Sequence, residues 1–199
     1  SYSVSTSMWT SGERYRVVSR AKDTCNYYPN YQVSFSTKYF IFDNVPPVSG
    51  ISKPSDGTGY GSLSTLTGTA DDSNSGTWPA GVNGASGVKI SIQIDPTLKP
   101  PGKFWDGGSS TNSWSSDTEL WLNATTYDSV SKTWTVDFPI SAWISAHEYR
   151  IKVKSIDKVP TQANEETFFE TGRSSNTFSI DVLAPQSVVL KPLDGASYN

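Results

Sequence analysis

The stretch Phe40–Gly61, FIFDNVPPVSGISKPSDGTGYG, returns as Phe178–Asn199, FSIDVLAPQSVVLKPLDGASYN. The two align without a gap at an offset of 138 residues (178 − 40). Phe40, Asp43, Pro47, Ser49, Lys53, Pro54, Asp56, Gly57 and Tyr60 recur as Phe178, Asp181, Pro185, Ser187, Lys191, Pro192, Asp194, Gly195 and Tyr198. A chain that repeats itself at such a period consists of similar units in series, each needing its own core and each meeting a neighbour at its ends. The repeated stretch reads as a seam: last strand of one unit, a short Pro-containing linker marked by Pro47 and Pro185, first strand of the next.

A second match lies upstream. Trp9-x5-Tyr15-Arg16-Val17 parallels Trp143-x5-Tyr149-Arg150-Ile151, and Asp23 parallels Asp157, at an offset of 134 (143 − 9). The connection between the two matches has therefore gained four residues in the second copy (138 − 134), a change that loops absorb readily. The expected organisation is the back part of one repeat over 1–45, a complete repeat over 46–184 and the first strand of a third over 185–199. The chain opens mid-pattern and reads as a slice of something longer.

Within the complete repeat every regular pattern has period two. Val88, Ile90, Ile92 and Ile94 alternate with Lys89, Ser91 and Gln93, the mark of a half-buried strand. Tyr149, Ile151 and Val153 alternate likewise with Arg150, Lys152 and Lys154. Strands are also predicted at 48–53, 63–70, 103–105, 120–126, 133–138 and 177–181, separated by Gly, Pro, Asn and Asp turn signals. No segment has helical periodicity. The expected fold is all-β, a two-sheet sandwich of short strands. Tyr149 and Tyr15 each follow a small-residue bend at a strand start, where a tyrosine can tie the chain back on itself. The basic residues beside them, Arg14, Arg16 and Arg20 and then Arg150, Lys152 and Lys154, are expected to form a solvated stripe.

Composition removes several classes of function. The net charge is −3 with one histidine and one cysteine, against the basic face that nucleic acid or an anionic membrane requires. No apolar run is long enough to span a bilayer. Cys25 has no partner for an internal disulfide. His147 has no second histidine or cysteine with which to build a triad or a metal site, and no carboxylate pair is placed by spacing for acid–base work. The chain is expected not to be an enzyme.

The residues in order are Leu-Thr-Gly-Thr-Ala-Asp-Asp at 66–72, Ser-Gly-Val-Lys-Ile at 86–90, Phe-Trp-Asp-Gly at 104–107, Trp-Leu-Asn-Ala-Thr at 121–125, Tyr-Arg-Ile-Lys-Val-Lys-Ser-Ile-Asp at 149–157 and Phe-Ser-Ile-Asp-x3-Pro at 178–185. This series resembles the bacterial Ig-like domains that occur in long tandem arrays of very large surface or secreted proteins. The resemblance covers nearly the whole chain. It implies an Ig-like β-sandwich array, extracellular or at the cell surface, acting as a structural fibre, stalk or surface layer, with neighbouring repeats or identical subunits as partners. It brings no catalytic residues.

Two kinds of ligand chemistry stay open in the loops. Asp71, Asp72, Asp157 and Asp181 lie near predicted strand ends and could offer the hard oxygens that calcium takes. Asp and Asn side chains also cap turns in such places without any metal. Trp78, Trp105 and Trp114 fall in stretches rich in Gly, Ser and Asn. There they could stack on sugar rings of cell-surface glycans, the alternative reading of an adhesin or carbohydrate-binding module, or plug the ends of the sandwich. Trp9 and Trp143 recur between repeats and are read as structural.

Overall fold

The computed structural model describes residues 5–99, 101–191 and 194–195. Its regular structure is almost entirely strand, with a few single turns of 3-10 helix and, among the described residues, no α-helix. The strands are β1 (Glu13–Ser19), β2 (Ser36–Phe42), β3 (Val48–Lys53), β4 (Thr58–Tyr60), β5 (Thr65–Asp71), β6 (Val88–Ile94), β7 (Phe104–Trp105), β8 (Trp114–Ser116), β9 (Leu122–Asn123), β10 (Thr126–Asp128), β11 (Thr133–Asp137), β12 (His147–Ser155) and β13 (Ser175–Ile180).

β1 and β2 pair antiparallel as a separate two-stranded ribbon. The other strands form two sheets in the orders β10-β11-β5-β3 and β4-β13-β12-β6-β7-β8, with β9 also on β6. Among the described residues the named strands pair antiparallel except β4 on β13. The sheets share one core because each has an apolar inner face. Leu66, Trp134 and Val136 come from the smaller sheet, and Ile90, Ile92, Tyr149, Ile151, Phe178 and Ile180 from the larger. Burying such side chains is the main stabilising term, about 1.5–3 kcal/mol for each large one.

Trp134 shows how local sequence serves this packing. Its indole lies against Gly68 on the neighbouring strand, where a Cβ would stand 2.5 Å from Cζ2, so only glycine admits the ring. Its Nε1 donates to the carbonyls of Gly50 (3.2 Å) and Thr69 (3.1 Å), so the buried polar tip is satisfied.

Several boundaries differ from the sequence reading. The strand expected over 120–126 is two short strands, β9 and β10, and Trp121 lies outside both. β4 and β8 carry no alternation long enough to be read and were not expected. The Gly-, Ser- and Asn-rich stretch around Trp114 contains β8. At the far end residues 181–190 form no strand, and Val188, Val189 and Leu190 are exposed. Their counterpart is β3, which is a strand because β5 lies beside it; the described residues offer 185–191 no such neighbour. Pro192 and Tyr198, expected as part of the second seam, lie outside the described residues.

Candidate functional site

The two matching segments have the same internal geometry. Trp9 and Tyr15 have ring centroids 4.6 Å apart at 77°, and Trp143 and Tyr149 are 4.8 Å apart at 74°. Tyr15 and Phe40 stack at 5.5 Å and 25°, and Tyr149 and Phe178 at 5.6 Å and 25°. The Tyr149 hydroxyl donates to the Ile144 carbonyl (2.9 Å) and accepts from the Ile144 N–H (2.8 Å). The Tyr15 hydroxyl accepts from the Thr10 N–H at 2.7 Å. Each tyrosine thus closes a five-residue loop onto its own backbone, as its position predicted.

The aspartates recur too. The Asp23 carboxylate accepts from the backbone and side chain of Asn30, and Asp157 from the same groups of Asn164. Asp43 accepts from the Ser11 hydroxyl and the Val45 N–H, and Asp181 from the Ser145 hydroxyl and the Leu183 N–H.

Asp43 then does something that Asp181 does not. Its second oxygen accepts from the Ser75 hydroxyl (3.1 Å) and the Ala80 N–H (2.8 Å), both across the seam in the sandwich. Its carbonyl accepts from Asn164 Nδ2 (3.2 Å). Beside it the Trp78 N–H donates to the Gly12 carbonyl (2.7 Å). Gly12 has φ +69, and a Cβ there would meet the Ser75 carbonyl oxygen at 2.2 Å, so the two backbones approach as closely as glycine allows. The ribbon is therefore docked on the sandwich by backbone contact around one buried carboxylate. The matching residues at the seam were legible in the sequence; the second set of Asp43 partners had no sequence signal.

Of the four aspartates expected as calcium ligands, three gather near this seam and one does not. Asp72 is 2% exposed. Burial pushes its carboxyl up to about 6; the Gly81 N–H opposes the rise, and the charges of Asp43, Asp157 and Asp71 add to it. Asp72 Oδ2 accepts from Gly81 N–H at 2.6 Å, while Oδ1 is buried without a partner. Asp157 is also buried, its oxygens engaged by the N–H groups of Val159 and Asn164. Asp71 is only partly buried and caps the turn at Ser73, whose hydroxyl holds its carboxyl below the usual range. Asp181 sits at the opposite end of β12, beside Ser145. Among the described residues no three His, Cys, Asp or Glu side chains are arranged to hold a metal ion. Most of the oxygens that calcium would need are taken by N–H and O–H donors.

The three loop tryptophans do not share a face. Trp105 and Trp114 are 6% and 8% exposed and lie on β7 and β8, packed with Phe138 and Trp143. Their Nε1 atoms donate to the carbonyls of Gly108 and Ala142, both at 2.8 Å. A sugar ring cannot reach them, so the stacking role does not stand for these two. The two- and three-residue strands that bury them are too short to show alternation. Trp78 is exposed and lies at the seam beside Arg14.

The basic stripe is also more structured than expected. Lys152 pairs with Glu119 (3.0 Å) and covers Phe169, while Lys154 pairs with Glu165 and lies 4.1 Å over Trp121. A further cluster, Ser49, Ser155, Glu166 and Arg173, was not brought together by the sequence, and Glu166, expected in a solvated loop, is buried. Glu166 accepts from the Ser49 N–H (2.9 Å) and from Arg173 (2.8 Å), and Arg173 also bonds to the Ser49 carbonyl. The Ser49 and Ser155 hydroxyls meet at 2.8 Å, which ties β3 to the opposite sheet. Arg173 belongs to the stretch lengthened by four residues in the second copy, so the insertion supplies a clamp on β3. His147 Nδ1 lies 2.6 Å from Asp95 Oδ2 at the far end of the sandwich.

Comparison with protein-family models, with curated proteins and with solved structures finds no match.

Proposed function

We propose that the chain is a segment of an extracellular array of Ig-like sandwich repeats that builds a fibre, stalk or cell-surface layer. The observation that carries this reading is Asp43. One carboxylate locks the end of its own ribbon through Ser11 and Val45, as Asp181 does through Ser145 and Leu183, and also bonds across the seam to Ser75 and Ala80. A unit whose terminal lock doubles as the dock for the next unit suits serial addition. The close backbone contact at Gly12 restricts motion at the seam, which suits a rod better than a flexible chain.

The strand order supports the Ig-like reading. In one sheet β11 lies between β10 and β5, with β3 at the edge; in the other β12 lies between β6 and β13, and β4 adds parallel to β13. Under this proposal the inner face of β1–β2 belongs to a second sandwich. Val17 and Phe40 are exposed where their counterparts Ile151 and Phe178 are buried in the core.

Electron microscopy of the native, never denatured material tests the proposal. Filaments with an axial repeat on the order of 40 Å are expected, from strands of roughly 6–8 residues at about 3.3 Å each plus end loops. Dispersed particles without a period would overturn it.

A further inference from the structure

The two ribbons agree on their inner faces and disagree on their outer ones. Inside, Trp9, Tyr15 and Phe40 match Trp143, Tyr149 and Phe178. Outside, Arg14, Tyr39 and Ile41 stand where the second copy has Glu148, Thr177 and Ser179. The register puts these residues on one face, with Arg14 opposite Ile41 and Arg16 opposite Tyr39, as Glu148 is opposite Ser179 and Arg150 opposite Thr177. The fold therefore does not need Arg, Tyr and Ile there, because the second ribbon adopts the same geometry without them.

The cations of the two faces are also treated differently. Lys152 and Lys154 each have a carboxylate partner. Arg20 is the counterpart of Lys154, and Tyr31 of Glu165; the ion pair is replaced by a guanidinium 4.4 Å over a ring. Arg14 lies 4.5 Å over Tyr39 and 5.5 Å over Trp78. Among the described residues neither Arg14 nor Arg16 forms an ion pair. Arg14, Tyr39, Ile41 and Trp78 line a surface groove of about 300 Å³. Ile41 also lines an adjoining groove of about 330 Å³ with Asp43, Ala80, Lys158 and Pro160, where the Asp43 carboxylate is already engaged by Ser11, Val45, Ser75 and Ala80. The combined cleft lies at the seam between the ribbon and the sandwich, a common location for ligand sites.

We propose that this cleft binds an acidic polysaccharide, with a uronate ring stacked on Trp78 and its carboxylate held by Arg14. An exposed indole face accepts the C–H face of a pyranose, and a guanidinium already oriented over two rings presents its fork to a carboxylate. Lys158 supplies a second cation in the adjoining groove. A neutral sugar would leave Arg14 unpaired, and an acidic peptide would leave Trp78 without a ring to stack on. This inference does not depend on the array reading.

Calorimetric titration of the 199-residue chain with tetragalacturonate, at low salt and pH 7, tests the proposal. Millimolar or tighter binding is expected, at least tenfold stronger than binding of a neutral tetrasaccharide such as cellotetraose and weakened by added salt. Arg14→Gln and Trp78→Ala should each lower the affinity about tenfold or more, while Arg150→Gln on the other ribbon should leave it unchanged. Both Arg14 and Trp78 are exposed, and unchanged urea unfolding would show that the variants fold. No binding, undiminished binding by either variant, or equal binding of cellotetraose or a glutamate oligopeptide would each overturn the proposal.

Discussion

The ribbon β1–β2 and its counterpart β12–β13 carry the same aromatic trio at nearly the same distances and angles, yet their surroundings are opposite. Phe178 is 2% exposed and Phe40 is 37% exposed. The difference separates two things that sandwiches usually merge. The shape of the ribbon is set locally, by cross-strand pairing of Tyr with Phe and by the tyrosine hydroxyl closing its own loop. Its stability is set by what covers it, because burial is where the large free energies lie. The first copy shows that the local part suffices to define the geometry; the second shows what covering adds.

The sharpest way to test that separation is to truncate the two tryptophans. Trp143→Ala empties a core position and should cost about 3–5 kcal/mol in urea unfolding. Trp9→Ala, at the matching but partly open position, should cost less than about 1 kcal/mol. Equal costs would show that the ribbon is covered in solution.

Asp72 should give the next largest effect, through pH. Its carboxyl titrates at about 6 in the folded chain against an ordinary 3.8. A carboxyl raised on folding favours the folded state while protonated, so its contribution is complete below about pH 4 and is lost as the pH rises through 6. The loss amounts to about 3 kcal/mol at most, from roughly two pKa units at 1.36 kcal/mol each. Asp72→Asn should therefore raise stability at pH 7 and flatten the profile between pH 4 and 7. A variant less stable than the parent at pH 7 would show that Oδ1 of the ionised carboxylate also has a partner there.

The two terminal locks should differ by less. Asp43→Ala strands donors from Ser11, Val45, Ser75 and Ala80, some of them buried, and should cost about 1–3 kcal/mol. Asp181→Ala strands only Ser145 and Leu183 at an exposed site and should cost less than about 0.5 kcal/mol. The smallest contrast is in the tyrosine hydroxyls. Tyr149→Phe leaves the Ile144 N–H without its acceptor and should cost about 1 kcal/mol. Tyr15→Phe, close to water, should cost a few tenths. Denaturant midpoints at a shared slope resolve each pair.

Much of this contrast was legible in the sequence, because repetition makes positions comparable. The offset of 134 joined Trp9 to Trp143 and Tyr15 to Tyr149, and the offset of 138 joined Asp43 to Asp181. The alternations of β6 and β12 are long enough to show which residues face inward. Trp105 and Trp114 were not legible, since β7 and β8 are shorter than one full alternation and their neighbours are Gly, Ser and Asn. The Arg173–Glu166 clamp could not be seen because it joins residues more than a hundred positions from Ser49, and it lies in the stretch that breaks the repeat. The partners of Asp43 across the seam were hidden for the same reason: long-range hydrogen bonds leave no periodic trace. Arg14, Tyr39 and Ile41 became informative only when set against Glu148, Thr177 and Ser179 in matching register.

The ribbon is docked rigidly on the sandwich through Asp43 and Gly12. Amide hydrogen exchange at Trp78 and Ala80 tests it most directly, since their N–H groups donate across the seam to the Gly12 carbonyl and to Asp43. Both amides should be protected in the parent chain. Gly12→Ala should expose both, with the core amides of Ile92 and Ile151 unchanged. Exchange of Trp78 and Ala80 in the parent chain at the rate of open loops would contradict the docked seam.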